Sequence, residues 1–414
     1  MATARTLTTD DIGRNKPIYA VWETTMQCNH ACAHCGSRAG PDAARPRELD
    51  TSEIMAVAAQ LVDLGTREVT LIGGEAYLRD DIIELVTFLS GAGVRVTMQT
   101  GGRGLSLALC KELRQAGMAA IGVSIDGPAR VHDVLRASPG SFLAGMRALE
   151  NARAAGMTTT SNLQVNRLNR DHLRETCELL SDSGILVWRV QLTVPMGRAA
   201  DRPEWILQPW EILGVMDTLA ELQTEHAEHA RKLGLPPHQT LDILASNNLG
   251  YYGPHEELLR SRPGRTSQYW TGCSAGRYTM GIESDGTVKG CPSLPTAPYV
   301  GGNVTEVSLR DIWQHADELQ FVRDRSIEEL WGFCRTCYYG DICRAGCSFT
   351  THCTLGRRGN NPFCYHRAAT LQEQGVRERL VHKVDAAGQP YDFGRFELEL
   401  EPWPEQPGDG DPTP

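Results

Sequence analysis

Between about residues 17 and 228 the apolar pattern switches regularly between strand and helix, and this alternation constrains the fold more than anything else in the chain. Candidate strands lie at 18–23, 68–73, 95–100, 120–125, 158–166 and 186–193. Helical patterns lie between them at about 51–64, 80–91, 105–117, 140–155 and 170–183, and another at about 209–228. Gly65, Gly93, Gly117, Gly156 and Gly184 each fall at or just past a helix end, where a left-handed cap suits glycine. Six β-α units in succession imply parallel strands joined by right-handed crossovers. The class is therefore α/β, either a doubly wound sheet or a barrel.

The chain has 414 residues, enough for one large domain and a smaller one. Its net charge of −10 and the lack of a basic block argue against nucleic acid as a primary partner. The first residues have no apolar stretch behind them, and no window approaches 18 apolar residues. The expectation is a cytoplasmic protein with no signal peptide and no membrane partner. Thirteen cysteines in such a chain point to metal ligation rather than disulfides.

Three of them, Cys28, Cys32 and Cys35, follow the first predicted strand with the spacing Cys-x3-Cys-x2-Cys. Three thiolates can hold three irons of a [4Fe–4S] cube and leave the fourth without a protein ligand. Such an iron suits a cofactor that a substrate or cosubstrate must coordinate. A second array holds Cys273, Cys291, Cys334, Cys337, Cys343, Cys347, Cys353 and Cys364. Within it, 282–288 reads as a hairpin with an Asp285-Gly286 turn, which places Cys291 beyond the second strand. Paired zinc sites and two further iron–sulfur clusters both satisfy that spacing. Cys110 and Cys177 sit in helical patterns without partners at ligand spacing and read as small buried hydrophobes.

The first motif resembles the defining signature of the radical S-adenosylmethionine (SAM) superfamily. The order Cys273…Gly286-x4-Cys291…Cys334-x2-Cys337-x5-Cys343-x3-Cys347…Cys364 resembles the SPASM extension of some of its members. The resemblance spans about residues 17–366. It implies a partial (β/α)6 TIM-like barrel with the cluster loop after the first strand, and a small cysteine-rich C-terminal SPASM domain. It also implies SAM bound at the open iron and cleaved to a 5′-deoxyadenosyl radical. With this resemblance in hand, iron–sulfur is preferred to zinc, giving three [4Fe–4S] clusters. Cys334, Cys337, Cys343 and Cys364 would hold the outer auxiliary cluster, and Cys273, Cys291 and Cys347 the inner one. Either Cys353 completes the inner set or its last iron stays open. The domains expected are an N-terminal extension (1–16), the barrel (17–235), a linker (236–272), the SPASM domain (273–376) and a disordered acidic Pro/Gly-rich tail (377–414).

Barrel active sites lie at the C-terminal ends of strands. The second strand ends in Gly73-Gly74-Glu75, where glycines let backbone approach a ligand and a carboxylate can accept from an ammonium. This resembles the family motif for the SAM amino group. Ser124, by the same resemblance, is a candidate for SAM ribose contact, with Asp126 either joining it or forming an Asp-Gly turn. Gln164 ends the fifth strand and is a candidate for touching SAM or substrate; Gln191 lies near the end of the sixth. His132, Asp133 and Arg136 read as an irregular stretch in which an ion pair fixes the loop. Arg136, Asp126 and Arg198 are the candidates for a catalytic role.

The resemblance implies a maturase acting on a ribosomal precursor peptide by crosslinking, epimerisation or backbone excision. About 16 residues before the first strand are too few for a winged-helix leader-binding domain, so leader recognition would fall to a barrel or linker surface or to a separate leader-recognition protein; a flavodoxin- or ferredoxin-like electron donor would be a further partner. Sulfatase-maturing members carry an aspartate directly after the Gly-x4-Cys cysteine. Pro292 and Ser293 stand here, which disfavours that reaction. The alternatives are a SPASM dehydrogenase acting on a small-molecule alcohol or sugar, and a non-catalytic metal-binding or electron-transfer protein.

Overall fold

The computed structural model describes residues 4–43, 45–236, 239–261 and 267–404. A short helix α1 (Thr9–Arg14) precedes β1 (Tyr19–Glu23). Then come α2 (Thr51–Asp63), β2 (Glu68–Ile72), α3 (Ile82–Gly91), β3 (Arg95–Thr100), α4 (Leu107–Gln115) and β4 (Met118–Ser124). The barrel continues with α5 (Ala129–Leu135), α6 (Ser141–Ala154), β5 (Thr158–Val165), α7 (Leu173–Asp182), β6 (Val187–Leu192), α8 (Glu211–Lys232) and β7 (Asp242–Ala245). The strands β1 to β7 pair in chain order, and every pair is parallel. The five glycines expected at helix ends all have positive φ, from 70° at Gly184 to 107° at Gly117.

Because side chains alternate along a strand, one face of the sheet carries Ala20, Trp22, Val69, Leu71, Val96, Met98, Ile121 and Val123, all fully buried under the helices. The helices answer with apolar stripes such as Ile54, Val57 and Leu61 on α2 and Leu173, Cys177 and Leu180 on α7. Cys110 and Cys177 are fully buried in this layer, as small hydrophobes are. The opposite face is polar: Thr70 and Thr97 bond side chain to side chain at 2.8 Å, and Gln99, Ser124, Asn162, Gln164 and Gln191 share it. A barrel lumen lined this way can take a polar ligand at its C-terminal mouth.

The structure corrects three expectations. Residues 236–272 are no plain linker: β7 extends the parallel sheet, and Asn248 bonds both the N–H and the C=O of Leu192, continuing the β7 ladder along β6. His132 and Asp133 belong to helix α5, with Arg136 at its C-cap. The expected ion pair is made by Arg136 with Asp126, while Asp133 accepts from the N–H groups of Gly140 and Phe142 at 2.7 and 2.8 Å, capping α6. Finally, the tail expected from 377 is ordered as far as 404. Its strands β11 (Val376–Val384) and β12 (Arg395–Pro402) form an antiparallel hairpin, while 405–414 lie outside the described residues.

The predicted cysteine-region hairpin is present as β8 (Thr279–Ile282) and β9 (Thr287–Lys289), followed by a two-residue β10 (Gly302–Asn303). Gly286 in its turn has φ +88°. Strand β8 also pairs in parallel with β1, Tyr19 opposite Thr279, so one ten-stranded sheet runs from the barrel into the cysteine-rich region. Two short helices follow, Leu309–His315 and Asp317–Gln320, separated at Ala316, whose ψ of 118° is extended. Among the described residues no helix is long and apolar enough to cross a membrane.

Candidate active site and thiol centres

The loop after β1 carries Cys28, Cys32 and Cys35, and neighbouring backbone determines its course. Gly74 N–H donates to Thr25 C=O at 2.8 Å and Glu75 N–H to Gln27 C=O at 2.9 Å. A Cβ at Gly73 would lie 2.5 Å from the Thr25 carbonyl oxygen, and one at Gly74 would collide with that of Gln27. The close approach expected at these glycines is therefore made by the cysteine loop itself. The three thiols are mutual neighbours: ionising Cys32 or Cys35 would raise Cys28, which burial already pushes up to about 12. Thiols in that state ionise when a cation arrives to pay for the charge.

Three arginines clamp the loop. Arg136 pairs with Asp126 at 2.5 Å and points Nη1 at Cys32 Sγ, 3.7 Å away. Asp126 is fully buried, and the Arg136 guanidinium and His34 hold its carboxyl far below the usual range against the burial that opposes them. His34 lies 3.3 Å from that carboxylate, and its Nδ1 is 3.0 Å from the Leu135 carbonyl. Arg198 donates to the carbonyls of Cys32 and Ala39, both at 2.6 Å. Arg38 pairs with Asp201 at 2.7 Å and Asp392 at 2.9 Å. All three candidates for a catalytic role, Arg136, Asp126 and Arg198, thus stand behind the loop as its anchors.

Glu75 is 2% exposed and faces the loop from the mouth of the barrel. Its Oε1 accepts from Gly101 N–H at 2.7 Å and its Oε2 from Thr100 Oγ1. Burial outweighs these bonds and the charge of Arg136 and raises the carboxyl to about 7. Beside it lies His30, equally buried, with neither ring nitrogen hydrogen-bonded among the described residues. A Cβ on Gly101 would come within 3.0 Å of both the Glu75 carboxylate and the His30 ring. The missing methyl lets both side chains close on the backbone there, giving a buried polar cradle of a carboxylate and an imidazole. Ser124 pairs in register with Asn162, and Gln164 with Gln191, on the lumen face below. Gln164 N–H donates to Asp126 Oδ1 at 3.0 Å, and Asn162 Nδ2 donates to Gln99 Oε1.

The other thiols fall into two neighbourhoods. Cys291 and Cys347 each feel the charge of Cys273, and Cys347 that of Cys291 as well. Cys334, Cys337, Cys343 and Cys364 together line a small pocket with Tyr251, Tyr252 and His366. Residues of the 236–272 stretch build its wall: Trp270 Nε1 donates to the Cys343 carbonyl at 3.2 Å, and Cys347 N–H donates to Tyr251 Oη at 3.1 Å. Cys353 is wholly buried in the main apolar core, with Cys347 as the thiol beside it. Among the described residues no three His, Cys, Asp or Glu groups converge on a point as one metal ion requires. Four thiols around a cavity suit a polynuclear cluster, and the donor sets fit the iron–sulfur groups that the resemblance implies.

Sequence reasoning missed several residues. His30 lies inside the first motif, where its position beside Cys28 was the only signal. Gln99 and Asn162 are signalled by polar residues at the end of a strand. Nothing local marks the buried network at the rim where β1 meets β8, in which Arg45 joins Glu23 and Glu283 at 3.1 and 2.6 Å, and Lys289 meets Glu283 at 2.6 Å. Tyr391, from the loop joining β11 to β12, donates its hydroxyl to Glu23 there and stacks 3.9 Å from the Lys289 ammonium.

Comparison with known proteins agrees with this geometry. Residues 22–180 match the Radical SAM superfamily, and residues 273–338 match SPASM, an iron–sulfur cluster-binding domain. An AdoMet-dependent heme synthase of Methanosarcina barkeri is 29% identical over 355 residues, covering 85% of this chain and 97% of the relative. Mycofactocin maturase MftC of Mycolicibacterium smegmatis is 28% identical over 382 residues, covering 89% and 88%. Streptococcus suis SuiB bound to S-adenosylmethionine has the same fold at 15% identity and a TM-score of 0.61, over 81% of this chain and 74% of that one. With a matching barrel, both thiol arrays and named enzymes among its relatives, the chain carries a radical SAM domain followed by a SPASM domain.

Proposed function

We propose that this enzyme modifies a ribosomally made precursor peptide. The observation that carries the chemistry is the buried Glu75–His30 cradle facing three clustered thiols. In this reading Cys28, Cys32 and Cys35 hold a [4Fe–4S] cluster, and Glu75, backed by Gly73, Gly74 and Gly101, receives the SAM ammonium. Ser124 and Gln164 line the path for the rest of that cosubstrate. When bound, SAM and its cluster supply a 5′-deoxyadenosyl radical for abstraction of hydrogen from an unactivated C–H. The protein contributes position and exclusion: Arg136, Arg198 and Arg38 hold the thiol loop still, and the polar lumen orients what lies above it. Cys273, Cys291 and Cys347, and separately Cys334, Cys337, Cys343 and Cys364, would hold two auxiliary clusters.

Similarity to a mycofactocin maturase across 89% of this chain supports the peptide substrate. A second reading, a porphyrin-type small molecule, has a specific basis in the similarity to heme synthases. Anaerobic reconstitution tests the shared chemistry. About 12 irons per chain, the content of three cubes, and release of 5′-deoxyadenosine on reduction with SAM are expected; a fully loaded protein that leaves SAM intact overturns it. Co-expression with small reading frames adjacent to the gene, read by mass spectrometry, separates the substrates. A mass change in the peptide supports the first reading, and turnover of an iron porphyrin with the peptide untouched replaces it by the second.

A further inference from the structure

Arg325 lies between the two auxiliary thiol sets and has no evident purpose in the protein alone. It is 8% exposed, and its Nη1 donates to Ser348 Oγ at 3.3 Å. Its Nε and Nη2 have no hydrogen-bond partner among the described residues. The nearby acid, Glu329, pairs with Arg358 at 3.6 Å instead. A guanidinium withdrawn from water without an anion is costly, so a buried one left with two free donors marks where an anion belongs.

Its neighbours show which anions. Ser348 directly follows Cys347 of the inner set. Arg344, which directly follows Cys343 of the outer set, donates Nη1 to the Arg325 carbonyl at 2.8 Å. The groups whose charge Arg325 would balance are Cys273 on one side, and Cys343 and Cys334 on the other. We propose that Arg325 donates hydrogen bonds from Nε and Nη2 to ligand sulfurs of both auxiliary clusters and so sets their reduction potentials together. Donors and positive charge at the sulfurs favour the form holding one more electron, so the arginine raises both potentials. The planar fork matters because its donors point in fixed, divergent directions; a lysine carries the charge without that reach.

This inference rests on the iron–sulfur reading of the two sets, which the iron content of the wild-type chain tests separately. The experiment is EPR-monitored redox titration of the reconstituted full-length protein, wild type against Arg325→Met and Arg325→Lys. Arg325→Met is expected to lower the reduced-to-oxidised ratio of both auxiliary couples about tenfold at the wild-type midpoints, about 59 mV for a one-electron couple. The SAM-binding cluster should be unmoved. Arg325→Lys is expected to shift the two couples less and unequally. Auxiliary couples at wild-type potentials in a fully loaded Arg325→Met protein overturn the proposal. Should that variant fail to load, Arg325→Lys decides, and two unshifted couples in it overturn the proposal equally. A merely structural arginine would change iron content or melting temperature and leave the potentials alone.

Discussion

The loop of Cys28, Cys32 and Cys35 is held from outside by side chains of the barrel, whereas the outer auxiliary thiols surround a cavity with little regular structure about them. Arg136 and Arg198 reach the first loop from two separate elements, and Arg38 of the loop reaches out to Asp201 and Asp392. Around the outer set the elements are a four-residue helix, Gly340–Cys343, a 3-10 turn, Gly332–Arg335, and the start of a helix, Tyr365–Glu373, whose N-cap is Cys364. The apolar group there contains the ligand thiol itself, as Tyr251, Trp270 and Cys343 pack together. The difference teaches that a metal site can be preformed by its scaffold or can be part of the scaffold. On the proposed assignment, the loop of Cys28, Cys32 and Cys35 follows the first plan and the outer thiols the second.

Replacing Cys28, Cys32 and Cys35 together by alanine tests the first half of that contrast with the largest effect. Release of 5′-deoxyadenosine should fall to background while circular dichroism and melting temperature stay near wild type. Collapse of the fold would show that the loop, too, depends on metal. Removing iron with a chelator tests the second half: hydrogen exchange should rise steeply across 332–366 and change little across 24–43. Equal loosening of both regions would erase the distinction.

Next in size is the clamp. Asp126→Asn leaves the Arg136 charge buried without its partner, a loss of about 3–5 kcal/mol for such a pair. The Asp126→Asn/Arg136→Met double variant should lose less than Asp126→Asn alone, and denaturant melts of the three proteins measure the order. A smaller effect is expected at Glu75. Its carboxyl, near 7 in the folded chain against the ordinary carboxylate value of 4.5, holds its proton more firmly than in the unfolded chain. It therefore withdraws stability from the cosubstrate-free protein as pH rises from 4.5 through 7. An ammonium favours the ionised form, so SAM should bind more tightly at pH 8 than at pH 6. Calorimetric titration should show that difference vanish in Glu75→Gln, and a wild-type affinity flat in pH would contradict the assignment. Least of all, Tyr391→Phe should cost about 1–2 kcal/mol, the price of leaving a buried acceptor short of one donor, seen as an earlier melt with SAM cleavage intact.

The six barrel strands were legible because each is a local apolar run closed by a glycine-capped helix, and Arg95–Thr100 is placed to the residue. Strand β7 was not, since its four residues sit among proline and asparagine pairs that read as loop. The hairpin from Val376 shows the opposite failure. Its alternation is visible in the residues, but the proline- and acid-rich end beyond it drew the whole segment into a tail. In the structure Gln208 bonds both the N–H and the C=O of Leu380, which anchors β11 to the barrel. The cysteines were easy to read because ligand spacing is a local property. The roles of Arg136, Asp126 and Arg198 were hard to read because polar side chains at strand ends serve either a ligand or the loop beside it, and only the direction of each side chain decides.

What the residues alone determined is the alternation of strand and helix, the three-thiol motif and the second thiol array, since each depends on neighbours a few positions apart. What tertiary structure decided is every contact between distant parts of the chain: β8 beside β1, Tyr391 on Glu23, and Arg325 beside residues that adjoin both sets of thiols. Tyr391 and Glu23 are 368 positions apart. No local pattern can encode such a contact, because its partners meet only after the intervening barrel has packed.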